Sequence, residues 1–153
     1  MTRPLLVGIG NPWRGDDGIG WAVAEAAGRR LGDAVDVVWC DGEPTRLLDA
    51  WADADFVVVV DAARTGAAPG TVHLWTEGLP TTSVSSAGGS HALGIAYAVA
   101  LGHALHRVPQ RLAVIGIEAG ELDTGEALST DVAAAVDLTV ELLARLVVGR
   151  VVA

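Results

Sequence analysis

The sequence contains no lysine, since all ten of its basic residues are arginine. The chain carries a net charge of −9 at pH 7, so it has no lysine-rich patch of the kind that follows a phosphate backbone. We therefore expect no nucleic acid as a partner. The acidity would suit a basic protein segment or a metal cation, although most acidic surfaces serve solubility alone.

Cysteine is almost absent too, because Cys40 is the single one in the chain. A lone thiol cannot form an internal disulfide, and it suits a reducing compartment better than a secreted protein. Met1 leads directly into a short apolar run, without the basic segment and cleavage site that mark a signal peptide. These features predict a cytoplasmic protein.

Charged residues are missing between Gly78 and His106, yet this stretch does not predict a membrane span. Pro80, Gly88 and Gly94 interrupt its apolar residues, as do several hydroxyl side chains. We expect no membrane association, and a monomer is the default expectation.

The 153 residues, 51% of them hydrophobic, suffice for one domain spanning 1–153, and no repeat or linker divides them. Short apolar runs alternate with amphipathic stretches, which favours an α/β fold with a mostly parallel, twisted sheet between helices. The predicted strands are Pro4–Ile9, Val35–Cys40, Asp55–Val60, the partly exposed or edge strand Thr71–Trp75, and Leu112–Ile117. The predicted helices are Ile19–Leu31, a short one at Leu47–Ala52, His91–His106, and a last helix capped by Ser129 with its apolar stripe at Val132, Val136, Val140, Leu143 and Val147.

The loop Gly8–Gly18 joins the first predicted strand to the first helix. A dinucleotide fingerprint needs a third glycine where this chain has Trp13, and Pro12 removes a backbone donor. Asp16 and Asp17 would also repel a pyrophosphate at the helix entrance, so the loop favours a cation. Either acid could instead serve only as a helix cap.

Sheets of this kind bind ligands at the carboxyl ends of their strands, where two further aspartates are predicted. Asp61 follows a strongly apolar strand, and a buried carboxylate there must be paired, solvated or bound to metal. Asp41 follows the second strand, although Asp-Gly is also a frequent turn signal. Turn formation is the alternative role for both residues.

His91 begins a predicted helix after an uncharged loop, so it can face the same edge, with a surface or capping role as the alternative. His103 and His106 lie at the far end of that helix and are expected to face solvent, and no ligand pairs show zinc spacing. Neither a Gly-x-Ser-x-Gly elbow nor a local Cys–His cue supports serine or cysteine chemistry. The two carboxylates and the imidazole of Asp17, Asp61 and His91 could bind a divalent ion such as nickel.

Three motifs occur in a fixed order: Gly8-Ile9-Gly10-Asn11 with Asp16-Asp17-Gly18-Ile19-Gly20, then Val60-Asp61-Ala62, then Ser90-His91-Ala92-Leu93-Gly94. In combination they resemble the hydrogenase maturation protease family over essentially the whole chain. The resemblance implies a five-stranded α/β sandwich and an endopeptidase that removes the C-terminal extension of a nickel-loaded hydrogenase large-subunit precursor. It also implies that Asp17, Asp61 and His91 bind the nickel, which arrives in the precursor, and that Asp41 lies near the cleft.

Two departures from the family pattern concern substrate fit and the last helix. Many relatives have a second glycine where Glu43 follows Gly42, and a proline where this chain has Thr130.

The sequence leaves the chemistry open between nickel that polarises the scissile carbonyl and an aspartate, among Asp16, Asp17 and Asp41, that activates the water. The alternatives to this activity are a non-catalytic, nickel-dependent checkpoint or chaperone for the large subunit, a nucleotide-binding module, and a protease with another substrate.

Overall fold

The structure is a computed structural model that describes residues 3–76, 91–120, 125 and 127–152, without the side chains of 91–94 and 149–152. The strands are β1 (Leu5–Ile9), β2 (Asp36–Cys40), β3 (Phe56–Ala63), β4 (Val72–Trp75) and β5 (Arg111–Glu118). The α-helices are α1 (Ile19–Leu31), α2 (Pro44–Ala50), α3 (His91–Leu105) and α4 (Thr130–Val152), and 3-10 helices span Gly15–Gly18 and Gly32–Ala34.

The strands form one five-stranded sheet in the order β2-β1-β3-β5-β4. β1, β2, β3 and β5 are parallel to one another, and β4 pairs antiparallel with β5 at one edge. The prediction of a mostly parallel sheet with Thr71–Trp75 at its edge is confirmed. Because four strands run the same way, their carboxyl ends meet along one edge, which we call the carboxyl edge.

The central strand β3 is buried along its whole length and separates two apolar layers. Phe56, Val58 and Val60 face the layer that holds the apolar side chains of α1 and α4. Val57 and Val59 face the other layer, which holds those of α2 and α3. Strand side chains alternate between faces, so Asp61 belongs to the α2–α3 side. The predicted sandwich of sheet and helices is confirmed.

Helix α1 coincides with the predicted Ile19–Leu31 and lies unusually close to the sheet. A Cβ atom on Gly20 would lie 2.3 Å from the carbonyl oxygen of Ile9 and 2.5 Å from that of Val60. Only glycine fits at this contact, because any side chain would push the helix off the ends of β1 and β3. The close approach fixes the position of the loop that precedes α1.

Helices α2 and α4 follow from local capping and from an apolar stripe. α2 begins at Pro44 rather than at Leu47, because Glu43 accepts the backbone N–H groups of Thr45 and Arg46 and proline suits the first helical position. On α4, the predicted stripe is confirmed by the buried side chains of Val132, Val140, Leu143 and Val147 and the partly buried Val136. Within the described residues, no helix is both long and apolar enough to cross a membrane.

Strand β3 continues past the predicted end at Val60. Residues Asp61, Ala62 and Ala63 pair with Gly116, Ile117 and Glu118 of β5, because β5 extends equally far. The prediction that Asp61 follows the strand is therefore wrong. Since β1 pairs with β3 only as far as Val60, however, Asp61 still lies beyond the end of the neighbouring strand on that side.

Candidate functional site

The loop between β1 and α1 folds into a compact turn at the carboxyl edge. The side-chain oxygen of Asn11 accepts a hydrogen bond from the N–H of Trp13 at 2.9 Å. The backbone carbonyl oxygen of Asn11 accepts one from the N–H of Arg14 at 3.2 Å. Asn11 N–H donates to the carbonyl oxygen of Asp17 at 3.2 Å. Gly10 has φ +141°, and a Cβ there would lie 2.0 Å from the same oxygen, so this position requires glycine. Glycine and asparagine thus place Asp17 beside the end of β1.

Asp16 is fully buried, and its carboxylate joins the loop to distant parts of the chain. One oxygen accepts the backbone N–H of Ser129 at 2.7 Å. The other accepts the backbone N–H of Gly120 at 2.7 Å and the hydroxyl of Ser129 at 2.8 Å. The Ser129 hydroxyl, predicted to cap α4, is therefore directed to Asp16. This arrangement gives Asp16 a structural function, and its predicted catalytic role stays a prediction.

Asp17 and Asp61 place two buried carboxylates on neighbouring elements at the carboxyl edge. Asp17 is 0% exposed and lies in the 3-10 helix Gly15–Gly18, which packs against β3. Asp61 is 2% exposed, and its Oδ1 accepts the N–H of Ala62 at 2.8 Å. A buried carboxylate has to be hydrogen-bonded, paired with a positive charge or bound to a cation. Carboxylate oxygens and an imidazole nitrogen are donors that nickel accepts.

Asp41 lies at the same edge, directly after β2, but its side chain is exposed. Its Oδ2 forms an ion pair with Arg46, and its Oδ1 accepts the N–H of Glu43 at 3.0 Å. Cys40 joins β2 to the first loop through its carbonyl oxygen, which accepts the N–H of Gly10 at 3.2 Å. Asp41 is thus the solvent-accessible acid among the three predicted for catalysis.

His91 is the first residue of α3, and its side chain lies outside the described residues. Helix α3 ends at Leu105, shortly before β5 begins at the opposite edge of the sheet, and 15 residues of helix span about 22 Å. A helix of this length suffices to reach back to the carboxyl edge. Where side chains are described, no group of three or more His, Cys, Asp or Glu has the arrangement of a metal site. The ligand set of Asp17, Asp61 and His91 stays a prediction. His103 and His106 are exposed, as predicted.

A second acidic centre lies at this edge and was not predicted from the sequence. Glu118, at the end of β5, is 2% exposed and accepts both the N–H and the hydroxyl of Thr65, at 2.8 and 2.7 Å. His73 Nε2 lies 3.2 Å from the same carboxylate, and its ring stacks on Trp75 at 5.2 Å. The sequence signal for Glu118 is an acidic residue at the end of an apolar strand, which is the same pattern that singles out Asp61. The carboxylate of Glu118 thus connects β5 to the loop after β3 through Thr65 and to β4 through His73.

A pocket of about 190 Å³ beside the first loop was also missed. It is lined by Pro12 and Gly18 of the loop, by Trp21 of α1 and by Trp39 of β2. The two indole rings lie 6.4 Å apart at 56°. Trp39 is paired with Gly8 across β1 and β2, and the missing side chain of Gly8 lets α1 pack closely, since a Cβ there would lie 2.5 Å from the carbonyl oxygen of Gly20.

Comparisons with known proteins identify the relatives of this fold and sequence. A family model described as hydrogenase maturation protease matches residues 23–146. The hydrogenase expression/formation protein HupD of Thiocapsa roseopersicina is 32% identical over 122 residues, which is 78% of this chain but only 55% of that protein. The chain therefore spans about half the length of this curated relative.

Solved structures of hydrogenase maturation proteases are similar to this chain as well. The hydrogenase maturating endopeptidase HybD from E. coli superposes with a TM-score of 0.79 and 25% identity, covering 93% of this chain and 90% of that one. The NiFe hydrogenase maturation protease HybD from Thermococcus kodakarensis superposes with a TM-score of 0.76 and 28% identity, covering 95% and 99%.

Proposed function

This chain belongs to the hydrogenase maturation protease family, and we propose that it is an endopeptidase that removes the C-terminal extension of a nickel-loaded hydrogenase large-subunit precursor. The observation that carries the proposal is the pair of buried carboxylates, Asp17 and Asp61, on adjoining elements at the carboxyl edge. The lone cysteine supports a cytoplasmic location, and a monomer remains the simplest expectation.

Substrate positioning is the first part of the proposed mechanism. Nickel is part of the precursor here, and Asp17, Asp61 and His91 are its proposed ligands in this chain. Their oxygen and nitrogen donors suit the ion, and we expect His91, the first residue of α3, to approach the edge where both acids lie. Binding the metal in this way would fix the position and orientation of the adjacent peptide bond at the carboxyl edge.

Proton transfer is the second part, and we assign it to Asp41. Its carboxylate is exposed, whereas the oxygens of Asp16 already accept three hydrogen bonds and Asp17 is proposed as a ligand. Asp41 would accept a proton from the attacking water as the new carbon–oxygen bond forms, and return it to the amine nitrogen as the carbon–nitrogen bond breaks. Asp16 contributes by holding the loop that carries Asp17.

The test is cleavage of the large-subunit precursor of the same organism, loaded with nickel or nickel-free, followed by mass spectrometry. We expect the wild type to remove the extension only from the loaded precursor, and Asp17→Asn, Asp61→Asn and His91→Ala to lose cleavage. Asp53→Asn and His103→Ala are matched controls, because both side chains are exposed and far from the edge. Nickel-dependent binding without any cleavage by the wild type would instead identify a non-catalytic checkpoint, and nickel-independent cleavage would point to another substrate.

A further inference from the structure

In the described part of the chain, β2 is the outermost strand on one side of the sheet, so only one of its two sides is paired. The strand ends at the carboxyl edge. Asp36 N–H donates to Pro4 at 2.9 Å, and the Cys40 carbonyl oxygen accepts from Gly10 at 3.2 Å, so these residues direct their backbone groups toward β1. Alternate residues of an edge strand point the other way, so Val37 and Trp39 direct their N–H and carbonyl groups outward. Such a row of groups is a template for an added strand.

The pocket lined by Pro12, Gly18, Trp21 and Trp39, here called the Trp21–Trp39 pocket, lies next to the unpaired side of β2. Trp39 is 48% exposed, and the pocket walls of Pro12, Trp21, Trp39 and Leu128 are apolar. The indole N–H of Trp21 is buried and has no acceptor among the described residues. A buried donor without an acceptor is costly, and a carbonyl oxygen from a bound segment would satisfy it.

We propose that the outer edge of β2 and the Trp21–Trp39 pocket together bind an extended segment of the precursor next to the scissile bond. The segment pairs with Val37 and Trp39 as an added strand, and it places one large apolar side chain in the pocket. This inference rests on the proposed function. An apolar side chain fits because the one acid at the pocket, Glu25, already pairs with Arg29 at 2.8 Å.

Continuity with the candidate site favours the precursor as the occupant. From Val37 to Asp41 an extended chain covers about 13 Å, so a strand on this edge leads directly to the exposed carboxylate. Pro12 and Gly18, which line the pocket, belong to the same loop as Asp17. A segment held there would lead to the scissile bond, where Asp41 is proposed to transfer the proton.

The experiment measures kcat and KM for cleavage of the nickel-loaded precursor of the same organism. Trp39→Ala is expected to raise KM about tenfold or more with little change in kcat, because an aromatic anchor is lost. Tyr97→Ala is the control, since it removes another exposed aromatic ring, on α3. Val37→Pro removes one outward N–H and is expected to raise KM about 2- to 12-fold relative to Val37→Ala, which keeps that donor.

Trp21→Phe separates binding from folding. It removes the orphaned N–H while keeping an aromatic ring, so the midpoint of urea unfolding should stay the same or rise while KM rises a few-fold. Unchanged KM in Trp39→Ala, Trp21→Phe and Val37→Pro, in a wild type that cleaves the precursor, would overturn the docking site and leave the proposed function standing. A wild type that does not cleave the loaded precursor would overturn both.

Discussion

Replacing Asp16 with asparagine should lower the free energy of unfolding by about 2–4 kcal/mol, although the side chain keeps its size. The carboxylate accepts three hydrogen bonds, from the N–H groups of Gly120 and Ser129 and from the Ser129 hydroxyl. An amide can accept on its oxygen only, so its NH₂ group would face at least one of these donors. A buried N–H without an acceptor costs about 1–3 kcal/mol, and the loss of the charge weakens the bonds that remain.

Urea unfolding followed by tryptophan fluorescence measures this loss. With a slope of about 2 kcal/mol per molar urea, a change of 3 kcal/mol lowers the midpoint by about 1.5 M. Ser129→Ala should cost less, about 1 kcal/mol, because it removes one donor and leaves no buried group unsatisfied. The exposed Asp53→Asn should change the midpoint very little. A midpoint for Asp16→Asn equal to that of the wild type would refute the structural role argued for this carboxylate.

Two further predictions concern the packing of α1 and the buried thiol. Gly20→Ala should lower the free energy of unfolding by about 3 kcal/mol or more in the same urea assay, because its Cβ would meet the carbonyl oxygens of Ile9 and Val60; near-wild-type stability would contradict the close packing. Burial raises the pKa of the Cys40 thiol, which is 7% exposed, so alkylation of the folded protein should be slower than that of the urea-unfolded chain and should accelerate only at a higher pH. Equal rates and equal pH dependence in the two states would show that the thiol is not buried.

Much of the fold could be predicted because the length and spacing of its apolar runs distinguish buried strands from amphipathic helices. The valine-rich run of β3 has the length and β-branched content of a buried strand. Helix α1 is bounded by glycines and has its buried residues at helical spacing, so both of its ends were predicted correctly. The start of α2 was missed because its cap is a glutamate, Glu43, which is not among the residues usually preferred at that position.

The candidate site was predicted only in part, because its residues are brought together by contacts far apart in sequence. Parallel strands and their connections suffice to place Asp41 and Asp61 at one edge. No local pattern, in contrast, indicates that Asp16 would bind a residue 113 positions away, or that Glu118 would bind Thr65 at a separation of 53. Adjacent acids in a loop look alike in sequence, so the structural function of Asp16 became visible only in three dimensions.

The contact between Asp16 and Ser129 also bears on when the site is completed during synthesis. The loop that carries Asp17 is held at Gly120, at Gly125 and at the start of α4, all of which leave the ribosome long after β1 and α1. Contacts of such high sequence separation form late, because loop closure must precede them. A nascent chain that has not yet docked α4 is therefore expected to lack the geometry of its acidic loop, so the arrangement of Asp17 is completed only once the end of the chain has been made.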